Sequence, residues 1–451
     1  MTINSVRKLI LFGLAFLLTA QTALAGLIRD AEIEHTLRAY ANPVLQSAGI
    51  PPESVRILIV ADPSINAFVA GGLNIFINTG LILETRDPGM LIGVIAHETG
   101  HISGAHLSQF TEKSNRALLG SVISAVIGAA AIAGGAGQAG AGIILGGQNM
   151  AMRNFLTDIR MNEQAADQAA LKFLDDNEIS ASGMLAMFEE LRRNDSGMRQ
   201  KADPYLQTHP LTTDRISVIR NHTNESRIPK GQVPEGFDKM HARMIAKLVA
   251  FTSPKTTTFN LYPENQTDLP ARYARAIAHY RAAEPDLAIA QMRALITEHP
   301  RDPFFYDTLG QILFENGKLV EASEAYRKAV QLLPDSALIQ TDYGKTLIAR
   351  DDPSLLSQAI AHLERARDID DSNGFTWRQL AIAYGKRGDL GSSYAALAEE
   401  SALEGDHKTV LQHVARARGL VEKNSATALA LDDLEREARA QLKEKNKNSP
   451  F

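Results

Sequence analysis

The chain has 451 residues, enough for two to three domains with sizeable cores, and its 45% hydrophobic and 22% charged residues are those of an ordinary globular protein. A net charge of −5 leaves no basic footprint for nucleic acid. The absence of cysteine excludes disulfides, thiolate zinc ligands and cysteine nucleophiles.

At the N-terminus, Arg7 and Lys8 precede an uncharged apolar run, Leu9 to Ala20, and then TALAG, with Ala23 and Ala25 in the small-residue positions of a cleavage site. This order predicts a secretory leader over 1–25 and a mature chain beginning at Gly26. The apolar run is shorter than the roughly 20 residues a membrane anchor needs.

Residues 26–222 mix strand-like and helix-like text. SVRILIVAD (Ser54–Asp62) reads as a strand, and INAFVAGGLNIFINTGLI (Ile65–Ile82), broken at Gly71-Gly72, as a hairpin or successive short strands. In DPGMLIGVIAHETGHISGAHLSQF, Asp87 and Pro88 open a helix, and Leu91, Val94, Ile95 and Ile102 recur at helical spacing. Ala117 to Met152 carries no charge and is divided by a glycine cluster, Gly134–Gly142. Two readings stand: a buried helical hairpin or lid, and an element that contacts a membrane peripherally. A second helix, NFLTDIRMNEQAADQAALKFLDDN, follows.

Residues 223–268, with Pro229, Pro234, Pro254 and Pro263, read as a linker holding one helix, DKMHARMIAKLVAF. From 269 to 440 a 34-residue period appears: Pro300 and Pro334, and Leu309-Gly310 and Tyr343-Gly344. Tyr306, Leu309, Gly310, Ala322, Tyr326, Ala329 and Pro334 sit at the offsets of a tetratricopeptide (TPR) repeat. A weaker unit precedes this repeat, and two follow it, the last beginning at Gly374. Such an array presents a concave surface for segments of other proteins. Residues 441–451 are expected to be a disordered tail.

The chemistry centres on HETGH. His97 and His101 are four residues apart on one helix, so both imidazoles project from one face, where they can reach one zinc ion. Glu98, turned about 100° away, is placed to take a proton from a metal-bound water. A catalytic zinc needs a third protein ligand. HExxHxxGxxH fails, because Leu107 stands where a third histidine is required and His106 is one residue off. A carboxylate from the second helix remains. Glu163 can ligate, and Asp167, at i+4, can accept a hydrogen bond from a ligand histidine.

HETGH followed by E-x-x-A-D (Glu163, Ala166, Asp167) resembles the M48 family of zinc metallopeptidases, of gluzincin type. Asn66-Ala67-Phe68 upstream, His106, and His209-Pro210 with Arg215 downstream fit the same resemblance. Here the Asn66 segment continues V-A-G-G without the proline common there, and E-Q-A-A-D lacks a second glutamate. The resemblance implies an α+β gluzincin-type domain, mostly helical with a small sheet, followed by an all-α TPR solenoid. It implies one Zn2+ per chain on His97, His101 and Glu163, with Glu98 as general base and Asp167 behind a ligand histidine. His209 is either a fourth ligand at rest or a stabiliser of the oxyanion. Asn66 and Phe68 are expected to bind substrate along a strand edge. The TPR-bearing members imply a periplasmic enzyme of a Gram-negative bacterium. Its substrates would be misfolded or assembly-stalled outer-membrane β-barrel proteins, and its repeats would engage the machinery that assembles them. Two rivals stand beside it: a TPR chaperone or adaptor with little proteolysis, and an integral-membrane protease with an uncleaved anchor.

Overall fold

The computed structural model describes residues 26–104, 159–196, 205 and 209–447. The leader, His106 and the uncharged Ala117–Met152 stretch lie outside these residues. The described residues fall into two units, one up to Val249 and one from Ala250 onward. That boundary lies inside the stretch expected to be a linker. The first unit is α+β and the second all-α, as the sequence predicts.

In the first unit, β1 (Leu27–Ile28) leads into α1 (Ala31–Ser47), β2 (Arg56–Val60), β3 (Ala67–Ala70), β4 (Asn74–Asn78), α2 (Thr79–Glu84) and α3 (Pro88–Ser103). Asp30 starts α1, its carboxylate accepting from the backbone N–H of Glu32 and Ile33. Ile33, Leu37, Tyr40, Val44 and Leu45 then recur on its buried face. The sheet order is β1-β2-β4-β3. β2 and β4 are parallel, and β3 and β4 form an antiparallel hairpin. Gly71 and Gly72 make its turn with φ of 58° and 94°, a region side chains disfavour. Ile57, Ile59, Ile75 and Ile77 point to the helical side and enter the core. Phe68 and Phe76, opposite each other in register, stack on the other face with centroids 4.9 Å apart.

Asp87 caps α3 through the Met90 N–H, with Pro88 in its first turn. Every residue from Pro88 to Gly100 is buried, so this helix is enclosed all round and its polar residues His97, Glu98 and Thr99 are carried into the interior. A helix over residues 159–176 (α4) crosses it, then α5 (Ser182–Ser196), α6 (Thr213–Glu225) and α7 (Phe237–Thr252). Helix α7 is the one expected within the linker. Its Met244 and Leu248 belong to the first core. Its Lys247 ammonium lies 2.8 Å from Asp30, and its Arg243 2.6 Å from Glu32.

The second unit opens with α8 (Lys255–Leu261) and stacks helix pairs: α9 (Leu269–Arg281) with α10 (Pro285–Glu298), α11 (Pro303–Glu315) with α12 (Leu319–Leu332), α13 (Ala337–Ala349) with α14 (Leu356–Ile369), and α15 (Gly374–Arg387) with α16 (Leu390–Leu403). The motif residues carry the packing. A β-carbon on Gly310 would meet the Tyr326 ring at 2.9 Å, so the glycine lets paired helices touch. The insertion near Asp352-Pro353 is a 3-10 turn capped by Asp352. A further pair, α17 (His407–Arg418) and α18 (Ala426–Lys447), closes the stack over Ala398, Val410, Val414 and Leu431. Helix α18 carries on to Lys447, past residue 441, where the sequence reading has a disordered tail. No helix among the described residues is long and apolar enough to cross a membrane.

Candidate metal centre

Three segments build the site. Helix α3 carries His97, Glu98 and His101; α4 carries Glu163 and Asp167; the chain entering α6 carries His209. Their donor atoms converge. His97 Nε2 lies 3.1 Å from His101 Nε2, 3.4 Å from His209 Nδ1 and 3.4 Å from Glu163 Oε2. Glu163 Oε1 lies 3.3 Å from His101 Nε2 and 3.2 Å from His209 Nδ1. Donors about 2.0–2.1 Å from a tetrahedral ion stand about 3.3–3.4 Å apart, so this spacing fits zinc. The set of histidine nitrogens and one carboxylate fits zinc chemistry as well.

The surroundings orient the donors. The Asp167 carboxylate accepts from His97 Nδ1 at 2.9 Å, leaving Nε2 as the donor atom. The Phe188 ring of α5 meets the His97 ring edge-on at 5.9 Å. Burial works to depress the His97 pKa, but hydrogen bonds to Asp167 and Glu163 outweigh it and raise it to about 9. Burial lowers His101 to about 3. Burial would raise the Glu163 carboxyl, but its three histidine partners hold it far below the usual carboxylate range. Asp167 is likewise held low, by Arg215 and His97 against burial.

Glu98 differs from the other two carboxylates. It is fully buried, and neither oxygen has a hydrogen-bond partner among the described residues. Burial pushes its pKa upward. Its Oε1 sits 3.5 Å from His209 Nε2, so His209 turns one nitrogen to the donor set and the other to Glu98. A desolvated carboxyl beside a metal position is suited to holding and releasing a proton.

The structure thus brings together His97, Glu98, His101, Glu163, Asp167 and His209. Asn66 and Phe68 belong to the sheet: the Asn66 carbonyl accepts from the Asn78 N–H, and Phe68 stacks on Phe76. Tyr205 escaped the sequence reading. Fully buried, its ring lies 4.7 Å from that of His209, and its carbonyl accepts from the His209 N–H at 2.7 Å. The only sequence signal for it is the four-residue spacing in YLQTH, one helical turn.

Two histidines and a glutamate from crossing helices, with a buried carboxylate beside them, define a metallopeptidase site. Residues 28–223 match the family model described as peptidase family M48, and residues 303–336 match the tetratricopeptide repeat. The first unit is therefore an M48 peptidase domain, and the chain is a peptidase that also carries TPR repeats. It is 24% identical to a putative beta-barrel assembly-enhancing protease of Vibrio cholerae, over 90% of this chain and 84% of that one. It is also 24% identical to the beta-barrel assembly-enhancing protease of Escherichia coli K12, over 84% and 78%. Among solved structures, MamA aligns with 40% of this chain and 98% of its own, at 17% identity and a TM-score of 0.29.

Proposed function

We propose that the chain is an exported zinc endopeptidase of protein quality control, which cleaves misfolded or assembly-stalled outer-membrane β-barrel proteins in the periplasm of a Gram-negative bacterium. The observation that carries this reading is the buried Glu98 carboxylate, which accepts no hydrogen bond among the described residues, beside the four converging donors. A purely structural metal site needs no such base, which weighs against a chaperone or adaptor with little proteolysis. The relatives are named for β-barrel assembly, which supports the client class.

His97, His101 and Glu163 hold one zinc ion. When bound, zinc supplies Lewis acidity and lowers the pKa of its water toward about 7. Glu98 takes the proton of the attacking water and passes it to the leaving amine. Asp167 fixes the His97 tautomer. His209 would be a fourth donor in the resting site, a role its Nδ1 distances support better than that of an oxyanion donor. Substrate adds to β3, an edge strand of the sheet among the described residues, beside Asn66 and Phe68. The Asn66–Asn78 hydrogen bond sets the ladder so that the N–H and C=O groups of Ala67 and Val69 face outward. The TPR array recruits clients or the assembly machinery.

The test is cleavage of an assembly-stalled β-barrel protein by the mature chain and by Glu98→Gln, with bound zinc measured in both. Cleavage by the wild type alone, both holding zinc, is the expected result. If neither cleaves while both hold zinc and bind the client, the adaptor reading takes its place.

A further inference from the structure

Arg215, in the first turn of α6, is 2% exposed. All three guanidinium nitrogens are engaged. Nε donates to Asp167 Oδ2 at 2.6 Å and Nη2 to Asp167 Oδ1 at 2.8 Å. Nη1 donates to the Pro210 carbonyl at 2.9 Å and lies 2.8 Å from Glu163 Oε2. The guanidinium also sits over the Phe188 ring, 5.3 Å from its centroid, the same ring that meets His97. One planar group thus joins Glu163 and Asp167 of α4 to the turn that carries His209.

Two facts make this more than a bridge between helices. Glu163 and Asp167 are both buried, and Arg215 is the Lys or Arg side chain paired with them among the described residues. In addition, Asp167 Oδ1 is shared between Arg215 and His97, so the guanidinium and the His97 ring are set against one oxygen. The fork thus touches the carboxylate that orients His97, the Glu163 carboxylate itself and the turn that carries His209. A lysine places its charge at one point, and its ammonium does not span Asp167, Glu163 and the Pro210 carbonyl together.

We propose that Arg215 is a positioning residue for the metal centre: its fork fixes Glu163 and Asp167 and ties the His209-Pro210 turn to them, so metal affinity depends on the fork's shape and not on its charge alone. This rests on the reading that the converging donors hold zinc. A residue that merely joined α6 to α4 would change folding stability and leave the zinc affinity of the folded protein unchanged.

The experiment measures zinc affinity of the full mature chain by competition with a chromophoric chelator, with folding followed by circular dichroism. The variants are Arg215→Lys, His209→Ala and their double. The expected result is a folded Arg215→Lys that binds zinc about 10–100-fold more weakly, the loss typical when a ligand's outer partner is removed. In the double variant the losses combine to less than their product, because the Pro210 arm acts through His209. A folded Arg215→Lys that binds zinc within about twofold of wild type overturns the proposal. So does an Arg215→Lys that fails to fold even with saturating zinc, since the side chain is then a scaffold. Independent losses in the double variant overturn the link to His209. A wild type that binds no zinc sinks the metal reading itself, which the wild-type titration reports separately.

Discussion

A β-carbon on Gly100 would lie 2.6 Å from the carbonyl oxygen of Ala166 and 2.9 Å from its Cα. The glycine of HETGH therefore faces Ala166, which precedes Asp167, at the crossing of the two helices that carry the donors. Gly93, two turns earlier, meets Met184 of α5 at 2.6 Å in the same way. Backbone, not a flexible side chain, stands in the way at Gly100, so the helices must separate to admit a methyl group.

Gly100→Ala is thus expected to destabilise the first unit by about 1–3 kcal/mol, as overpacking does. It should also weaken zinc binding, because His101 and Glu163 move apart. Urea unfolding and a zinc titration check both effects. A variant with normal stability and affinity would mean that the crossing relaxes freely.

Asp167→Asn keeps the shape of the side chain and removes the charge that faces both His97 and Arg215. Zinc affinity should fall about 10–100-fold, the usual cost of losing such a partner. Equilibrium dialysis of the folded variant reads this directly. Unchanged affinity would show that His97 is oriented without Asp167.

Zinc binding should expel protons. With His97 raised to about 9 in the metal-free site, the ring is protonated at neutral pH, whereas a metal-bound imidazole is not. His101, lowered to about 3, has no proton to lose there. Raising the pH removes the competing proton, so affinity should climb roughly tenfold per pH unit up to about 9 and then flatten. Calorimetry at pH 7 in two buffers of different ionisation enthalpy should count about one proton released. A count near zero would place a neutral His97 in the free site.

His241 on α7 supplies an acid sensitivity remote from the metal. It is buried, with Nε2 3.2 Å from the Thr85 carbonyl and 3.3 Å from the Thr85 hydroxyl. Burial lowers its pKa below 6.5, against weaker opposing effects from the Thr85 carbonyl, Asp87 and Asp238. Below about pH 6.5 the unfolded chain therefore binds more protons than the folded one at this position. The stability this group contributes is complete above that pH and is lost as the pH falls toward the folded value. His241→Gln, compared with wild type in the zinc-loaded state, should lose less stability between pH 7.5 and 5.5. Equal losses would remove His241 from the account.

Much of this was legible in the sequence because it is local. The four-residue spacings of His97 and His101, and of Glu163 and Asp167, need nothing beyond helical geometry to put each pair on one face. The 34-residue period likewise records one helix pair after another. What stayed hidden depends on distant chain. The reach of Arg215 to Asp167 and the packing of Tyr205 on His209 appear only when α4, α5 and α6 are assembled. The side taken by α7 was open in sequence because its decisive partners, Asp30 and Glu32, stand some two hundred residues earlier. The run DDLEREARAQLKEKNK reads as the charged end of the array as far as residue 440, where Arg418 pairs with Asp432 and Glu435 and Leu431 and Ala438 are buried; the same helix carries on to Lys447, which a charged run without apolar spacing does not announce.

The shortness of β3 has a kinetic corollary. Its four residues, with only Ala67 and Val69 turned outward, offer a passing chain four main-chain hydrogen-bonding groups. At about 1 kcal/mol or less net per bond, that grip is weak and brief. On the reading proposed above, a chain that finds its own fold between visits escapes, and one that keeps returning is eventually cut. The enzyme then measures how long a strand stays unpaired, and needs no sequence code to tell a slow client from a failed one.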